Sequence, residues 1–312
     1  MLCFSTAATI IIPMKKEAFQ YIAEDNILIL DGATGSFLLA AGMPADACSE
    51  DWVLHHPDVL IDLQKQYVSS GSDIIYAPTF TANRAKLSEH GFGDEIRQIN
   101  HQLVELSREA AGSKALVAGD LSMTSSSIVL FEDDEYNEIK EIYREQIKAL
   151  ADAGCDLLIV ETMLSLTETL AAVEAATEVC DLPIMASLTF EQNGRTLYGD
   201  APGDCAKALS DAGAAVVGAN CSTGPDRMLP IIEEMRGATD LPILAKPNAG
   251  LPMPGPNGTI KYDLTDDTFA VSMMSIIEAG ANFIGGCCGT SPSYIEKLHC
   301  LAQNMAFTSR KD

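Results

Sequence analysis

Two adjacent cysteines, Cys287 and Cys288, stand among glycines in the segment Gly-Gly-Cys-Cys-Gly-Thr at residues 285–290, just after a short apolar run. Neighbouring residues on a strand point to opposite faces, so the two thiols can converge only on a turn, which glycine makes possible. A third cysteine, Cys221, also follows an apolar run, at residues 214–219. Three thiolates at the ends of two strands suit Zn²⁺ with an open fourth position. On spacing alone, two unrelated buried cysteines or a vicinal disulfide are the alternatives.

Polar side chains follow other apolar runs in the same way. Asp31 ends the first run, Asp120 the third and Glu161 the fourth, while Asn220 directly precedes Cys221. If the runs are parallel strands, their ends meet on one rim and bring acids and thiols together, which favours the zinc interpretation. Two of these carboxylates also have a structural explanation: Asp31 can bond the backbone of its own turn, and Glu161 can cap the helix that follows or pair with a nearby base.

The apolar runs repeat with a rhythm that predicts eight strand-then-helix units. Continuous rather than alternating apolar residues indicate strands buried on both faces. The predicted strands are residues 27–30, 73–77, 115–118, 156–160, 183–188, 214–219, 242–245 and 282–284. The predicted helices are residues 59–69, 95–111, 135–153, 166–178, 202–212, 226–236, 266–278 and 293–303. We therefore predict the α/β class and a single (β/α)8 TIM barrel, with the zinc site at the C-terminal ends of the strands; a doubly wound open sheet is the alternative.

Composition narrows the class of partner. The 312 residues include 20 Lys and Arg against 44 Asp and Glu, a net charge of −24, which repels phosphate backbones and argues against nucleic-acid binding. The nine cysteines are an odd number without the spacing of a small secreted domain. They fit a reducing compartment, and we predict the cytoplasm. No apolar segment is long enough to predict a membrane span.

The chain is predicted to hold one barrel domain at residues 26–305, preceded by an N-terminal extension and lead-in at residues 1–25 and followed by a tail at residues 306–312. The apolar stretch at residues 7–12 lacks a basic segment before it, so we predict no signal peptide. Residues 252–258 are rich in Pro and Gly and are predicted to be a loop after the seventh strand, which either covers the mouth of the barrel or stays a surface excursion.

The segments at the strand ends, taken in their order along the chain, resemble those of a known family, the homocysteine S-methyltransferases. The resemblance is greatest to the homocysteine-binding barrel of cobalamin-dependent methionine synthase. The similarity runs from about residue 26 to residue 299. The segments that carry it are Asp-Gly-Ala-Thr-Gly-Ser at 31–36, Thr-Phe-Thr-Ala-Asn-Arg at 79–84, Glu-Thr at 161–162, Asn-Cys-Ser-Thr-Gly-Pro at 220–225, Pro-Asn-Ala-Gly at 247–250 and the glycine-cysteine segment at 285–290.

The resemblance implies a role for each candidate residue. Zinc is held by Cys221, Cys287 and Cys288, and the sulfur of homocysteine takes the fourth position. Three further candidates for the substrate site are Asp31 and Glu161, near the ammonium group and backbone of the amino acid, and Asn220, which better suits bracing of the loop than direct contact. The implied reaction is an SN2-like methyl transfer to the homocysteine thiolate, which gives methionine. A free thiol has a pKa of about 8.5, so zinc is needed to keep it deprotonated near neutral pH.

The methyl donor stays open at this point. Betaine-using relatives carry a tyrosine in the loop after the second strand, where this chain has Thr81, which counts against betaine. Methionine synthases continue into folate, cobalamin and activation domains that this sequence does not contain, so the first expectation is methylcobalamin carried by a separate corrinoid protein, with a folate-binding methyltransferase as a further partner. The alternatives are a small donor of the S-methylmethionine type, a homocysteine- and zinc-binding subunit of a split synthase that is inactive alone, and redox chemistry at the adjacent cysteines.

Overall fold

The eight predicted strands form one parallel sheet that curls into a barrel. The computed structural model describes residue 19 and residues 26–124, 133–255 and 260–309. The barrel strands are β1 (Leu28–Ile29), β2 (Ile74–Tyr76), β3 (Leu116–Leu121), β4 (Leu157–Met163), β5 (Ile184–Leu188), β6 (Val216–Asn220), β7 (Ile243–Lys246) and β10 (Ala281–Ile284). They pair in the order β1-β10-β7-β6-β5-β4-β3-β2, and a parallel bridge between Leu30 and Ile74 joins the two end strands. The predicted (β/α)8 barrel is confirmed.

Helices follow the strands, and eight of them correspond to the eight predicted ones. The helices are α1 (Gly35–Ala40), α2 (Ser49–His55), α3 (Pro57–Ser69), α4 (Arg84–Glu89), α5 (Ile96–Ala111), α6 (Asp133–Asp152), α7 (Leu166–Val179), α8 (Pro202–Asp211), α9 (Pro225–Ala238), α10 (Asp266–Glu278) and α11 (Pro292–Ser309). The sequence pattern missed α1, α2 and α4, because helices of six or seven residues are too short to show a helical period. None of the helices within the described ranges has the length and apolarity to cross a membrane.

An antiparallel hairpin interrupts the connection between β7 and α10, and it corrects the prediction of a loop at residues 252–258. Its strands are β8 (Pro252–Pro254) and β9 (Ile260–Tyr262), while residues 256–258 of that prediction lie outside the described residues. Proline is tolerated in such a two-stranded ribbon because each strand has a free edge.

The inside of the barrel is divided into an apolar layer and a polar layer. Alternate residues of each strand face inward, and those of the middle layer are apolar, with Ile74, Ala118, Ile159, Met185 and Leu244 among them. Two residues further along the same five strands stand, in the same order, Tyr76, Asp120, Glu161, Ser187 and Lys246. The carboxyl-terminal end of the barrel therefore carries a layer of buried polar and charged side chains on an apolar floor.

The predicted domain limits lie partly outside the described residues. Of the lead-in at residues 1–25, Phe19 is described; its ring packs against Phe283 inside the barrel, with ring centroids 5.4 Å apart. Residues 310–312 of the predicted tail also lie outside the described part, and 26–305 as the limits of the domain stay a prediction.

Candidate functional site

The first of the three cysteines lies at a strained turn after β6. Cys221 and Ser222 have φ angles of 61° and 59°, in the left-handed region that side chains other than glycine rarely adopt. The turn is held because the Cys221 N–H donates to the carbonyl of Lys246 (3.1 Å) and the Thr223 N–H donates to the carbonyl of Cys221 (2.6 Å). Strain of this kind persists where the surrounding structure over-determines the backbone, and here it directs a thiol toward the centre of the rim.

The adjacent cysteines lie on the predicted turn after β10. The Cys287 N–H donates to the carbonyl of Pro247 (2.8 Å), and the carbonyl of Cys288 accepts from the Ala249 N–H (3.0 Å), so both are anchored to the segment after β7. Glycine is required at Gly289, which has a φ of 83° and where a Cβ atom would collide with the ring of Tyr262. Residues after three strands thus fix the positions of the thiols.

The three thiols converge on one point, as predicted. All three Sγ atoms lie within 4.8 Å of one another, and the Sγ atoms of Cys221 and Cys288 are 3.9 Å apart. A tetrahedral zinc ion with Zn–S bonds of about 2.3 Å requires sulfurs about 3.8 Å apart, so the spacing fits that ion. The eight cysteines within the described ranges are free thiols, which sets aside a Cys287–Cys288 disulfide in this structure. Hydrogen bonds with Cys221 and Cys287, and then with Tyr262, lower the pKa of Cys288 below its usual value.

The β8–β9 hairpin supplies one of the hydrogen bonds that Cys288 makes. Tyr262, the last residue of β9, forms a side-chain hydrogen bond with Cys288. The sequence offered no signal for this residue, because the pairing of β8 with β9 decides where it lies. The hairpin therefore contacts the thiols through the end of β9, whereas the three residues of β8 are exposed.

A cavity of about 250 Å³ opens beside the thiols and reaches down to the polar layer. Its lining includes the three thiols, Cys221, Cys287 and Cys288, and the acidic side chains of Asp31, Asp120 and Glu161. It is smaller than the roughly 300–1,000 Å³ typical of pockets for drug-sized ligands, and so suits a small metabolite. A larger groove of about 500 Å³ lies between the loop after β5 and α9, but none of the three thiols lines it.

A buried ion pair occupies the floor of this cavity. The Lys246 ammonium donates to Asp31 Oδ1 (2.7 Å), and the two side chains are 4% and 1% exposed. Asp31 Oδ2 accepts from the Tyr76 N–H (2.8 Å), and the Lys246 ammonium also lies 3.8 Å from the centroid of the Tyr76 ring. Burial alone would lower the pKa of Lys246, but the carboxylates of Asp31 and Glu161 outweigh it and raise that pKa. Lys246 is therefore an ammonium ion, and Asp31 already has a cationic partner.

The other two predicted substrate residues lie in neighbouring positions with different surroundings. Glu161 is 8% exposed and lines the cavity, whereas Asn220 is fully buried. The Asn220 amide oxygen accepts from the Thr162 N–H (2.8 Å) and the Ser187 hydroxyl (2.8 Å), and its nitrogen donates to Thr162 Oγ1 (2.7 Å). Its remaining contact, with Glu161 Oε2, is long at 3.5 Å. These bonds hold Thr162 at a φ of 58° and give Asn220 the geometry of a brace.

Burial raises the pKa of Glu161 to about 7; Lys246 opposes this shift, and the negative charge of Asp31 adds to it. The side chain therefore changes charge near neutral pH. Among the residues that line the cavity, Lys246 is the single lysine or arginine, so the site has an excess of acidic groups.

The fold and the site together define a (β/α)8-barrel protein whose strand ends carry three convergent thiols beside an acidic cavity. The chain belongs to the homocysteine S-methyltransferase family: the family profile of that description matches residues 28–301. The resemblance stated from the sequence is confirmed, and the chain is a member of a methyltransferase family.

The relatives differ in length from this chain. Methionine synthase from Mycobacterium tuberculosis is 29% identical over 308 residues, which cover 93% of this chain and 26% of that protein. Methionine synthase from Mycobacterium leprae is 28% identical over 291 residues, covering 88% and 24%. The chain thus spans about a quarter of the length of these relatives.

Solved structures share the fold. The homocysteine methyltransferase MmuM from Escherichia coli, in its oxidised form, superposes with a TM-score of 0.76 at 23% identity and covers 90% of this chain and 98% of that one. The metallated form of the same protein gives a TM-score of 0.74 at 24% identity with the same coverage. At these identities the structures show a common barrel.

Proposed function

We propose that this protein transfers a methyl group to the thiolate of homocysteine and so forms methionine, with Zn²⁺ held by Cys221, Cys287 and Cys288. The observation that carries the proposal is the convergence of the three thiols within 4.8 Å at the edge of an acidic cavity. Family membership supports the substrate, and three sulfur donors suit zinc rather than a hard cation such as Mg²⁺. When bound, zinc supplies the positive charge that keeps a substrate thiol deprotonated and in place.

The residues around the thiols orient the amino acid. Glu161 presents a carboxylate to the substrate ammonium, and the charge of the thiolates is close to where the substrate sulfur must lie. Asp31 fixes Lys246 at the floor of the cavity, and Asn220 keeps the strand ends of β4 and β6 together through Thr162. The floor is therefore rigid, which holds the sulfur for in-line attack on the methyl carbon while the donor leaves on the open side.

For the methyl donor we propose methylcobalamin on a separate corrinoid protein. The support is the similarity of this chain to methionine synthases over about a quarter of their length, combined with a cavity that is open to solvent. A folate-binding methyltransferase would then recharge the corrinoid. The eight free thiols of the described residues suit the reducing conditions of the cytoplasm, where we place the protein. We further propose residues 26–305 as the catalytic domain.

The test measures zinc first and turnover second. Protein purified under reducing conditions should contain about one zinc per chain, Cys221→Ala should lose it, and Cys300→Ala, which changes an exposed thiol, should keep it. The zinc-loaded protein is then assayed for methionine from homocysteine with free methylcobalamin, with a methyl-corrinoid protein, and with S-methylmethionine. Turnover with S-methylmethionine alone would replace the proposed donor. Absence of zinc after reduction and zinc add-back would contradict the proposed mechanism.

A further inference from the structure

The turn that carries Cys287 and Cys288 is completed by Thr290, a residue to which the proposed reaction gives no role. Thr290 is 5% exposed, and its hydroxyl donates to the carbonyl of Cys287 (2.8 Å). The same hydroxyl oxygen accepts from the Ala33 N–H (3.2 Å) in the turn after β1. A hydroxyl has one proton to donate, so Thr290 uses its donor on its own turn and an acceptor site on the other. It thereby connects the thiol turn, residues 285–290, to the β1 turn, residues 31–36.

The β1 turn is held from its other side as well. The hydroxyl of Tyr67, a fully buried residue on α3, donates to the carbonyl of Ala33 (2.8 Å). Ala33 therefore has its N–H bound by Thr290 and its carbonyl bound by Tyr67. The Gly286 N–H donates to the carbonyl of Asp31 (3.2 Å) and joins the two turns a second time. A continuous chain of hydrogen bonds thus connects α3 with the thiol turn.

Glycines leave the space that these two hydroxyl-bearing side chains occupy. A Cβ atom at Gly286 would lie 2.5 Å from both Oγ1 and Cγ2 of Thr290. A Cβ atom at Gly32 would lie 2.7 Å from the hydroxyl oxygen of Tyr67. Both distances are far below the roughly 3.5–4.0 Å of a favourable non-bonded contact. The two glycine positions therefore belong to the same arrangement as Thr290 and Tyr67.

This arrangement fixes two positions on which the proposed chemistry depends. The carbonyl of Cys287 accepts from the Thr290 hydroxyl and also from the Thr290 N–H (3.1 Å), which sets the backbone from which the Cys287 thiol projects. Zn–S bonds have a narrow range of lengths near about 2.3 Å, so a shift of this backbone changes the fit of the ion. Ala33 lines the cavity, so the same hydrogen bonds also set the distance between the thiols and the cavity wall.

We infer that Thr290 is a positioning residue, whose hydroxyl holds the thiol turn against the β1 turn and so sets the geometry and the affinity of the metal site. This inference rests on the proposed function, because it takes the three thiols as the zinc ligands. Thr290 touches neither metal nor substrate in this assignment and acts through the backbone of Cys287 and Ala33. Loss of a group that supports metal ligands in this way typically lowers metal affinity by about 10- to 100-fold.

The experiment measures zinc affinity by competition with a chromogenic chelator under reducing conditions. Thr290→Val keeps the shape of the side chain, removes its hydroxyl and leaves the Ala33 N–H without its acceptor. It should bind zinc about tenfold more weakly, whereas Thr290→Ser, which keeps the hydroxyl, should stay within about twofold of the unaltered protein. The matched control is Thr169→Val on α7, since Thr169 is also buried and its hydroxyl donates to the carbonyl of Ser165 (2.6 Å).

Two further readouts separate positioning from a general loss of stability. The absorption spectrum of the Co²⁺-loaded protein reports the geometry of the thiolate site, so it should change in Thr290→Val and stay unchanged in Thr290→Ser. Urea unfolding of the metal-free proteins should show a comparable loss of stability in Thr290→Val and Thr169→Val, because each loses a buried hydroxyl group that donates a hydrogen bond. If Thr290→Val fails to fold, Tyr67→Phe takes its place, since it releases Ala33 from the other side and should weaken zinc binding about threefold.

An unchanged zinc affinity and an unchanged Co²⁺ spectrum in Thr290→Val overturn the inference and leave the proposed function intact. An equal loss in Thr290→Ser also overturns it, because the effect would then come from the methyl group packed against Gly286. An equal loss in Thr169→Val overturns it by assigning the effect to stability alone, and so does unchanged affinity in Tyr67→Phe where that variant takes the place of Thr290→Val. If the unaltered protein binds neither zinc nor Co²⁺, the proposed function fails and the inference falls with it.

Discussion

Replacement of Lys246 by methionine tests the electrostatic description of the barrel floor. The change removes the cation of a pair that is 4% and 1% exposed and leaves the Asp31 carboxylate buried beside two other acidic groups. Breaking a buried pair on one side costs about 3–5 kcal/mol. An upper limit for the part of this cost that comes from the Asp31 charge follows from protonation, because Asp31 can take up a proton instead of remaining charged. Starting from its ordinary pKa of 3.8, protonation at pH 7 costs about 4.4 kcal/mol.

The same reasoning gives a pH dependence with a definite sign. In Lys246→Met the folded state holds a proton on Asp31 that the unfolded state releases, so the variant becomes less stable as pH rises. The cost of protonating Asp31, which sets the upper limit, falls to about 1.6 kcal/mol at pH 5. The double variant Asp31→Asn with Lys246→Met removes both charges, so it should recover most of the lost stability and its deficit should not depend on pH in this way.

The assay is urea unfolding of metal-free protein at pH 5 and pH 7, followed by circular dichroism and by the fluorescence of Trp52, the single tryptophan of the chain. Metal-free protein is used because zinc binding would itself shift the unfolding equilibrium. The control is Lys207→Met, which breaks an exposed pair with Asp211 and should cost less than about 0.5 kcal/mol. A loss below about 1 kcal/mol for Lys246→Met at pH 7, or a double variant as unstable as the single one, would refute the reasoning.

Three further perturbations separate bracing, packing and protonation. Asn220→Ala leaves the donors of Thr162 and Ser187 without their acceptor and should lower the free energy of unfolding in urea by about 2 kcal/mol. It should also weaken zinc binding in a chelator competition, and full zinc affinity would remove the role of Asn220 as a brace. Gly218→Ala places a Cβ against the carbonyl oxygen of Leu244 on the neighbouring strand and should cost at least about 1–3 kcal/mol, so an unchanged urea midpoint would show that the barrel wall yields. Because the pKa of Glu161 is about 7 and its carboxylate form binds the ammonium, the preference for homocysteine over 4-mercaptobutanoate, the analogue that lacks the ammonium group, should rise about tenfold from pH 6 to pH 8, and a flat ratio would contradict this role.

Local sequence patterns were sufficient for the strands, the longer helices and the thiols. Buried parallel strands are continuous apolar runs, and the residue that ends each run must lie on the rim, so the convergence of Cys221 with Cys287 could be predicted without knowing the pairing. The glycines at residues 285, 286 and 289 marked the turn in the same way. The short helices could not be predicted, since their buried residues Leu38, Val53 and Leu87 pack in a cluster with other helices and show no periodic pattern. The β8–β9 hairpin depends on a strand pairing between largely exposed residues, which an apolar pattern does not reveal.

Which charges meet was decided by tertiary structure alone. The sequence placed Asp31 at a strand end on the rim, but its partner Lys246 lies 215 residues away and became visible only when barrel closure set β1 beside β10 and β7. That pairing leaves Asp120 and Glu161 as the carboxyl groups without a cation. Residue types and spacing determine which chemistry a rim can hold, because they set the donors and the strand ends. Burial and distance determine which of those groups is free to act, because the energy of a charge depends on its neighbours in space.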